Sequence, residues 1–145
     1  MSAVPTIHAS AVLVGAKAAL IRGPAGSGKS QLAWRLLGTL PFARLVADDR
    51  AHVETHHGRL LVRPAPALAG LIEVRGLGIR RVAYEPLAAV GLVIDLAAKD
   101  AERVPGRNTD KAALEGVALP RLAVAPDHDP LHLLLPFLGT APAGD

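Results

Sequence analysis

Cysteine is absent from this chain of 145 residues, and aromatic residues make up only 3 % of it. The first absence excludes disulfides, thiol redox chemistry and cysteine-ligated zinc. The second means that Ala, Val, Leu and Ile must form the core, because half of all residues are hydrophobic. Such an aliphatic bias favours a parallel or mixed sheet covered by helices. The length predicts one domain over residues 1–145.

The excess of one sign of charge is small as well. Sixteen basic residues against thirteen acidic ones leave a net charge of +3, with no Lys/Arg stripe interleaved with aromatics. We therefore expect no nucleic-acid partner. No basic segment of a secretory signal opens the chain, and the longest mostly apolar stretch, residues 9–21, contains Lys17. That stretch is too short to span a bilayer, so we expect no membrane association and a cytoplasmic location.

Apolar periodicity predicts an α/β fold with a mixed sheet, hairpins and few helices. Two strands are expected around a turn at 15–16, and a helix at 29–37 is expected to be stopped by Gly38 and Pro41. Residues 97–113 are polar and predict an exposed loop, and 119–124 predicts an edge strand because it contains Pro120. The other predicted elements are strands at 44–47, 71–74 and 90–96, a hairpin of 51–55 with 59–62, and a short apolar helix at 131–138.

A phosphate-binding loop is the clearest motif. Residues 23–30 read Gly-Pro-Ala-Gly-Ser-Gly-Lys-Ser, between an apolar strand and a periodic helix. Glycines let the backbone approach phosphates closely, with successive N–H groups and the positive end of the helix directed at them. Lys29 would reach the β- and γ-phosphates, and Ser30 would ligate Mg²⁺. The residues predicted to bind the nucleotide are Gly23, Gly26, Ser27, Gly28, Lys29 and Ser30.

Two adjacent acids, Asp48 and Asp49, follow the predicted strand 44–47. In open α/β sheets the ligand lies at the carboxyl ends of the strands. One acid there can hold Mg²⁺, and a second can accept the proton of an attacking hydroxyl. Neighbouring residues on an extended chain point to opposite faces, so the two acids are expected to have different roles. A helix cap or a turn is the alternative reading.

Glu73 and Arg75 lie two residues apart, before a turn that contains Gly76 and Gly78. Both side chains can face one side of an extended segment, where Glu73 would bind the metal and Arg75 a phosphate. A surface ion pair beside a tight turn is the alternative.

Four segments together resemble the catalytic domain of HPr kinase/phosphorylase. They are Ile7-His8, the loop 23–30, Leu45-Val46-Ala47-Asp48-Asp49-Arg50 and Ile72-Glu73-Val74-Arg75-Gly76-Leu77-Gly78-Ile79. The last is the most specific, and His8 precedes Lys29 by twenty-one residues, the distance associated with the family. The resemblance covers about residues 7 to 125 and suggests the short form that consists of the catalytic domain only.

This resemblance implies ATP-dependent phosphorylation of a serine on an HPr-like phosphocarrier protein, with a reverse reaction and a hexameric assembly. Asp48 looks like the base for the serine hydroxyl, supported by His8 and by Asp49 as a further acid. Ser30 and Glu73 look like metal-site residues.

Two more features concern the reverse reaction. Arg103 resembles the family's loop arginine that is linked with dephosphorylation. The family also has a Pro-Gly-Arg-Asn-like motif after its last strand, whereas here such a run, 105–108, precedes that strand.

Two other functions stay open at the level of sequence. A small-molecule P-loop kinase would place Arg103 and Arg107 on a mobile lid over a substrate pocket. A nucleotide-dependent regulator would bind without transfer and would not need both Asp48 and His8.

Overall fold

The structure is a computed structural model, and it describes residues 6–102, 106 and 109–141. Eleven strands and two α-helices form in the described part of the chain. The strands are β1 Thr6–Ile7, β2 Ser10–Leu13, β3 Ala18–Arg22, β4 Arg44–Ala47, β5 Ala51–His56, β6 Arg59–Pro64, β7 Leu71–Val74, β8 Gly78–Arg81, β9 Ala88–Asp95, β10 Lys111–Leu114 and β11 Val117–Ala123. The helices are α1 Lys29–Thr39 and α2 Pro130–Gly139, and a short 3₁₀ turn spans Pro66–Leu68.

Nine strands form one mixed sheet, which confirms the predicted α/β class. Its order is β1-β5-β6-β9-β3-β2-β4, and β11 pairs with β9 and with β10. The β3–β9 and β9–β11 pairs are parallel, whereas the other pairs are antiparallel. Strands β7 and β8 form a separate hairpin. Because β4 is antiparallel to β2, and β2 to β3, the carboxyl ends of β3 and β4 lie at the same edge.

The core is aliphatic, as the composition predicts. One cluster consists mainly of side chains from the strands of the sheet. A second lies between the sheet and the helices, around Leu32, Leu36 and Leu134. All four aromatic side chains are exposed instead: Trp34, Phe42, Tyr84 and Phe137. Within the described ranges, no helix is long and apolar enough to cross a membrane.

Helix α1 is two residues longer than the sequence predicts. Its buried residues Leu32, Ala33 and Leu36 share one face, as expected. Gly38 lies inside the helix, and the helix ends where the Leu40 N–H donates to Leu36 O at 2.9 Å. Glycine lowers helix stability by about 1 kcal/mol relative to alanine, but it ends a helix only where it takes a left-handed conformation.

The predicted loop at 97–113 is wrong over its last part, because 111–113 belong to β10. Strand β10 turns into β11 through Glu115 and Gly116, which have φ values of 48° and 79°. Two positive φ values in succession suit a tight hairpin turn. Strand β11, predicted as an edge strand, has one paired neighbour along each part of its length among the described residues. Its residues up to Pro120 pair with β10, and those from Arg121 pair with β9.

The glycine-rich segment after β7 also differs from the prediction of a turn alone. Gly78 opens strand β8, which pairs back onto β7. Gly76 and Gly78 have φ values of 91° and 92°, and the Leu77 N–H donates to Val74 O at 2.9 Å. The two glycines therefore make a hairpin that carries Glu73 and Arg75.

Candidate functional site

The loop between β3 and α1 has the conformation that its glycines predict. Gly26 and Gly28 have φ values of 80° and 98°, a region that side chains disfavour. A β-carbon on Gly23 would lie 2.5 Å from Ser27 Oγ, so no larger residue fits there. Lys29 Nζ donates to Gly23 O at 2.8 Å and to Pro24 O at 3.2 Å. The lysine thus folds back across the loop, where a phosphate would replace the carbonyl oxygens as its partner.

Asp48 is a buried carboxylate that joins three separate elements. Its Oδ1 accepts a 2.7 Å hydrogen bond from Ser10 Oγ on β2 and another of 2.7 Å from Ser30 Oγ on α1. Its Oδ2 accepts a longer bond, 3.3 Å, from the Glu73 N–H on β7. Only 5 % of Asp48 is exposed, and Ser10 is fully buried. Burial and three donors hold the carboxylate in one orientation.

Ser10 is a site residue that the sequence analysis missed. It lies in a run of buried apolar residues on β2, and a lone hydroxyl in such a run needs a partner. That requirement was the available signal, and Asp48 is the partner.

Asp49 differs from its neighbour in environment. It is exposed and has a φ of 70°, while the Arg50 N–H donates to Asp48 O at 2.8 Å across the turn. A turn therefore follows β4, and it separates one buried acid from one exposed acid in the same cleft.

An open cleft of about 970 Å³ brings the predicted residues together. His8 reaches it from the end of β1, Lys29 and Ser30 from α1, and Glu73 and Arg75 from the β7–β8 hairpin. Asp48 and Asp49 lie between them. Ser27 lines a smaller cavity on the other side of the loop. Arg103 lies outside the described residues, so its role stays a prediction.

Hard oxygen donors dominate one part of the cleft. Ser30 supplies a hydroxyl, and Asp48 and Glu73 supply carboxylates. No group of three or more His, Cys, Asp or Glu side chains converges as a metal site in the described ranges. A Mg²⁺ that accompanies a nucleotide takes one or two protein oxygens and completes its shell with phosphates and water. The donor set therefore fits Mg²⁺ in that form.

Behind the loop lies a charged network that the sequence analysis did not find. Asp95, the last residue of β9, accepts bonds of 2.8 Å from both Arg22 Nε and Arg22 Nη2, and one of 2.6 Å from Arg121 Nε. Burial alone would raise the pKa of Asp95, but the hydrogen bonds from the two arginines outweigh it and lower the pKa. Arg22 directly precedes Gly23, so this network fixes the start of the loop.

Comparison with known proteins places these features in a family. Residues 1–125 match the family model described as HPr Serine kinase C-terminal domain. The chain is 34 % identical over 129 residues to HPr kinase/phosphorylase of Geobacillus thermodenitrificans, covering 81 % of this chain and 41 % of the relative. It is 33 % identical over 130 residues to HPr kinase/phosphorylase of Streptococcus thermophilus strain LMD-9, covering 82 % and 41 %. The chain thus spans well under half the length of these relatives.

Among solved structures, the fold is similar to that of the Hpr(Ser) kinase/phosphatase from Coxiella burnetii. The TM-score is 0.73 at 25 % sequence identity, and the match covers 93 % of this chain and 88 % of that one. Both the sequence and the architecture therefore match the same group of proteins.

Proposed function

This chain belongs to the HPr serine kinase C-terminal domain family, and from that premise we propose that it transfers the γ-phosphoryl group of ATP to a serine of an HPr-type phosphocarrier protein. The names of the curated relatives include a phosphorylase activity. The proposal therefore includes the reverse reaction, in which inorganic phosphate removes the phosphoryl group.

One observation carries the proposal. Asp48 is held by Ser30 of the phosphate loop and by Ser10 of the neighbouring strand, and it lines the same cleft as Lys29. A carboxylate positioned within reach of a bound phosphate is the arrangement that a general base for phosphoryl transfer requires.

In the forward direction, the loop N–H groups and Lys29 Nζ bind the β- and γ-phosphates. The serine hydroxyl of the carrier enters the cleft beside Asp48 and loses its proton to that carboxylate as its oxygen bonds to the γ-phosphorus. The bond between the γ-phosphorus and the bridging oxygen breaks, and ADP leaves. His8, exposed at the rim of the cleft, supports Asp48, and Asp49 is the further acid.

In the reverse direction, an oxygen of inorganic phosphate bonds to the phosphorus of the phosphoserine while the bond from phosphorus to the serine oxygen breaks. Asp48 donates its proton to that serine oxygen, and pyrophosphate leaves. Arg75 faces the same cleft and is available to a phosphate group. Arg103 is proposed to hold the attacking phosphate.

Ser30 and Glu73 are proposed to hold Mg²⁺. When bound, the ion would neutralise charge on the phosphates as the bond to the leaving oxygen breaks. Ser30 would then turn its hydroxyl oxygen towards the ion while its proton stays directed at Asp48. Glu73 is exposed on β7 and can approach from the opposite side of the cleft.

Assembly is part of the proposal. Leu77 and Ile79 of the β7–β8 hairpin are 65 % and 61 % exposed, and apolar side chains of α2 are exposed as well. We expect these surfaces to be covered in a homo-oligomer, a hexamer by family resemblance. Light scattering distinguishes that state from the 15.0 kDa monomer.

Transfer of label from γ-³²P-ATP tests the function. The chain is incubated with HPr-type carriers, with carriers whose acceptor serine is replaced by alanine, and with a panel of small metabolites. Label on the serine-containing carrier alone is expected. Label on a metabolite would instead establish the small-molecule kinase, and ATP binding without any labelled product would establish the regulator.

A further inference from the structure

A second cavity borders the phosphate loop on the side away from Asp48. It has a volume of about 330 Å³ and is lined by the loop segment 24–27, by Leu96 and Ala97 after β9, and by the turn from Val124 to Pro130. The two cavities meet at Ala25 and Gly26, which line both. A molecule whose phosphates lie on the loop can therefore extend into both cavities.

The two cavities differ in chemistry. The cleft combines charged side chains, among them Lys29, Asp48 and Glu73, with apolar ones such as Trp34 and Ile72. In the second cavity only Ser27 and His128 carry polar side chains, and the remaining walls are Pro, Ala, Leu, Val and Gly. Apolar walls with a few polar groups suit a planar heterocycle. The γ-phosphate end needs the charged side chains of the cleft, so a nucleotide that extends across the loop places its heterocycle in the second cavity.

The walls of the second cavity are already fixed without a ligand. The Leu96 N–H donates to Arg22 O, the Ala98 N–H to Val124 O and the Val124 N–H to Asp95 O, at 2.8, 2.8 and 2.9 Å. Ala97 has a φ of 52°, which is uncommon for a residue with a β-carbon and recurs at binding sites.

The far wall is tied to the helix that follows the loop. Asp129 caps α2 through the Leu131 N–H and accepts two bonds from Arg35 of α1, at 2.7 and 3.1 Å. The turn that carries His128 is thus held at one end by the backbone hydrogen bonds of Val124 and at the other by the contacts of Asp129. A preformed site binds more tightly because little has to be ordered on binding.

Ser27 adds a further indication. Its hydroxyl is buried and has no hydrogen-bond partner in the part of the chain that the structure describes. Buried hydroxyls are rarely left unpaired, so we expect the Ser27 hydroxyl to hydrogen-bond to a bound molecule.

We propose that the purine base of the nucleoside triphosphate lies in this second cavity, against Ala97, Ala125 and His128, while its γ-phosphate faces Asp48. This rests on the proposed function, because it takes the phosphates to lie on the loop. Trp34 lines the cleft on the Asp48 side and would therefore not contact the base.

The first test compares ligands with and without a base. In Ala125→Phe the phenyl ring would occupy the cavity, and Ala113→Phe makes the same change at an exposed position of β10. Calorimetry is expected to show that Ala125→Phe weakens MgATP binding about tenfold or more and leaves Mg-tripolyphosphate binding within about twofold. Ala113→Phe should leave both unchanged.

Each outcome decides a different question. Unchanged ATP affinity in a folded Ala125→Phe variant overturns the base site, and so does an equal loss for ATP and tripolyphosphate. A parent protein that binds neither ligand overturns the proposed function together with the base site.

A second test needs no variant and holds even if Ala125→Phe does not fold. The parent protein is photolabelled with 8-azido-ATP and digested with trypsin. Cleavage after Arg121 and Lys99 isolates the cavity walls beyond the loop in the peptides 122–145 and 82–99, whereas Trp34 falls in 30–35 and the hairpin acid Glu73 in 60–75. Label in the first two peptides is expected, with competition by unlabelled ATP. Label confined to 30–35 or 60–75 overturns the proposal.

Discussion

The Ser30 hydroxyl donates a 2.7 Å hydrogen bond to Asp48 Oδ1. This bond connects the first turn of α1 with the end of β4, so the phosphate loop and the buried acid keep a constant separation. Transfer chemistry depends on such a separation, because a misplacement of about 1 Å can lower a rate a hundredfold. The first four predictions concern residues on either side of this contact or behind it.

Lys29→Ala is expected to weaken ATP binding and to abolish transfer. Its Nζ lies over the loop on Gly23 O and Pro24 O and is the loop's point charge for the phosphates. Calorimetry with MgATP and a transfer assay measure the two effects. Lys111→Ala, at an exposed position of β10, is the control. Unchanged affinity together with normal turnover would remove the loop from the mechanism.

Asp48→Asn is expected to keep ATP binding largely intact and to lower transfer by about 10²–10⁴, the usual contribution of a general base. The amide keeps the shape of the side chain but cannot accept the proton. Single-turnover rates measure the effect, and Glu115→Gln on the exposed β10–β11 turn is the matched carboxylate-to-amide control. Turnover within a few-fold of the parent would mean that another group is the base.

Ser10→Ala is expected to lower kcat with little change in KM for ATP. Ser10 positions Asp48 and does not belong to the phosphate loop. Removing the hydroxyl leaves one donor fewer on a buried carboxylate, which costs about 1–3 kcal/mol of stability. Thermal unfolding and steady-state kinetics separate the two effects. A rise in KM with unchanged kcat would show that Ser10 acts on the nucleotide instead.

Asp95→Asn is expected to destabilise the protein at neutral pH and to make its stability depend less on pH in the acid range. Burial would raise the pKa of Asp95, but the hydrogen bonds from Arg22 and Arg121 outweigh it and lower the pKa from its ordinary value. A group with a depressed folded-state pKa contributes stability above its unfolded pKa and loses it as the pH falls through the folded value. Its contribution should therefore be present from about pH 4 upwards and fade below that.

Melting temperatures of parent and variant between pH 3 and 7 check this prediction. The gap between them should be widest near neutral pH and narrow below pH 4. A gap that stays constant over the whole range would assign the loss to packing rather than to ionisation of Asp95.

Arg103→Ala is expected to reduce phosphate-dependent dephosphorylation much more than phosphorylation. In the forward direction Lys29 already holds the nucleotide phosphates, whereas the attacking phosphate of the reverse reaction needs a cation of its own. Both rates are measured on one carrier protein, with and without added phosphate. Equal losses would make Arg103 a general phosphate clamp, and a parent without reverse activity would limit this chain to the kinase reaction.

Local sequence determined the phosphate loop and the elements beside it. Residues 23–30 specify the loop because Gly26 and Gly28 permit its backbone angles and the helix follows at once. The hairpin of β5 and β6 was also predictable, since alternating apolar residues surround the turn at His57 and Gly58. Signals of this kind lie within a few residues of one another and need no knowledge of the sheet.

Resemblance to a family supplied more than the local signals could. The segments around His8, Asp48 and Glu73 were recognisable by order and spacing, and they do line one cleft with Lys29. Residue chemistry alone left two readings of Glu73 and Arg75 open, a site for a metal and a phosphate or a surface ion pair.

Only the tertiary structure decided which distant side chains meet. Ser10 and Asp48 are thirty-eight residues apart in sequence, and Arg22 and Asp95 are seventy-three apart. These contacts exist because β2 pairs with β4 and β3 pairs with β9. Strand order follows from burial of the whole aliphatic core and leaves no mark at any single position, so the buried carboxylate network and the second cavity could be found only in the folded chain.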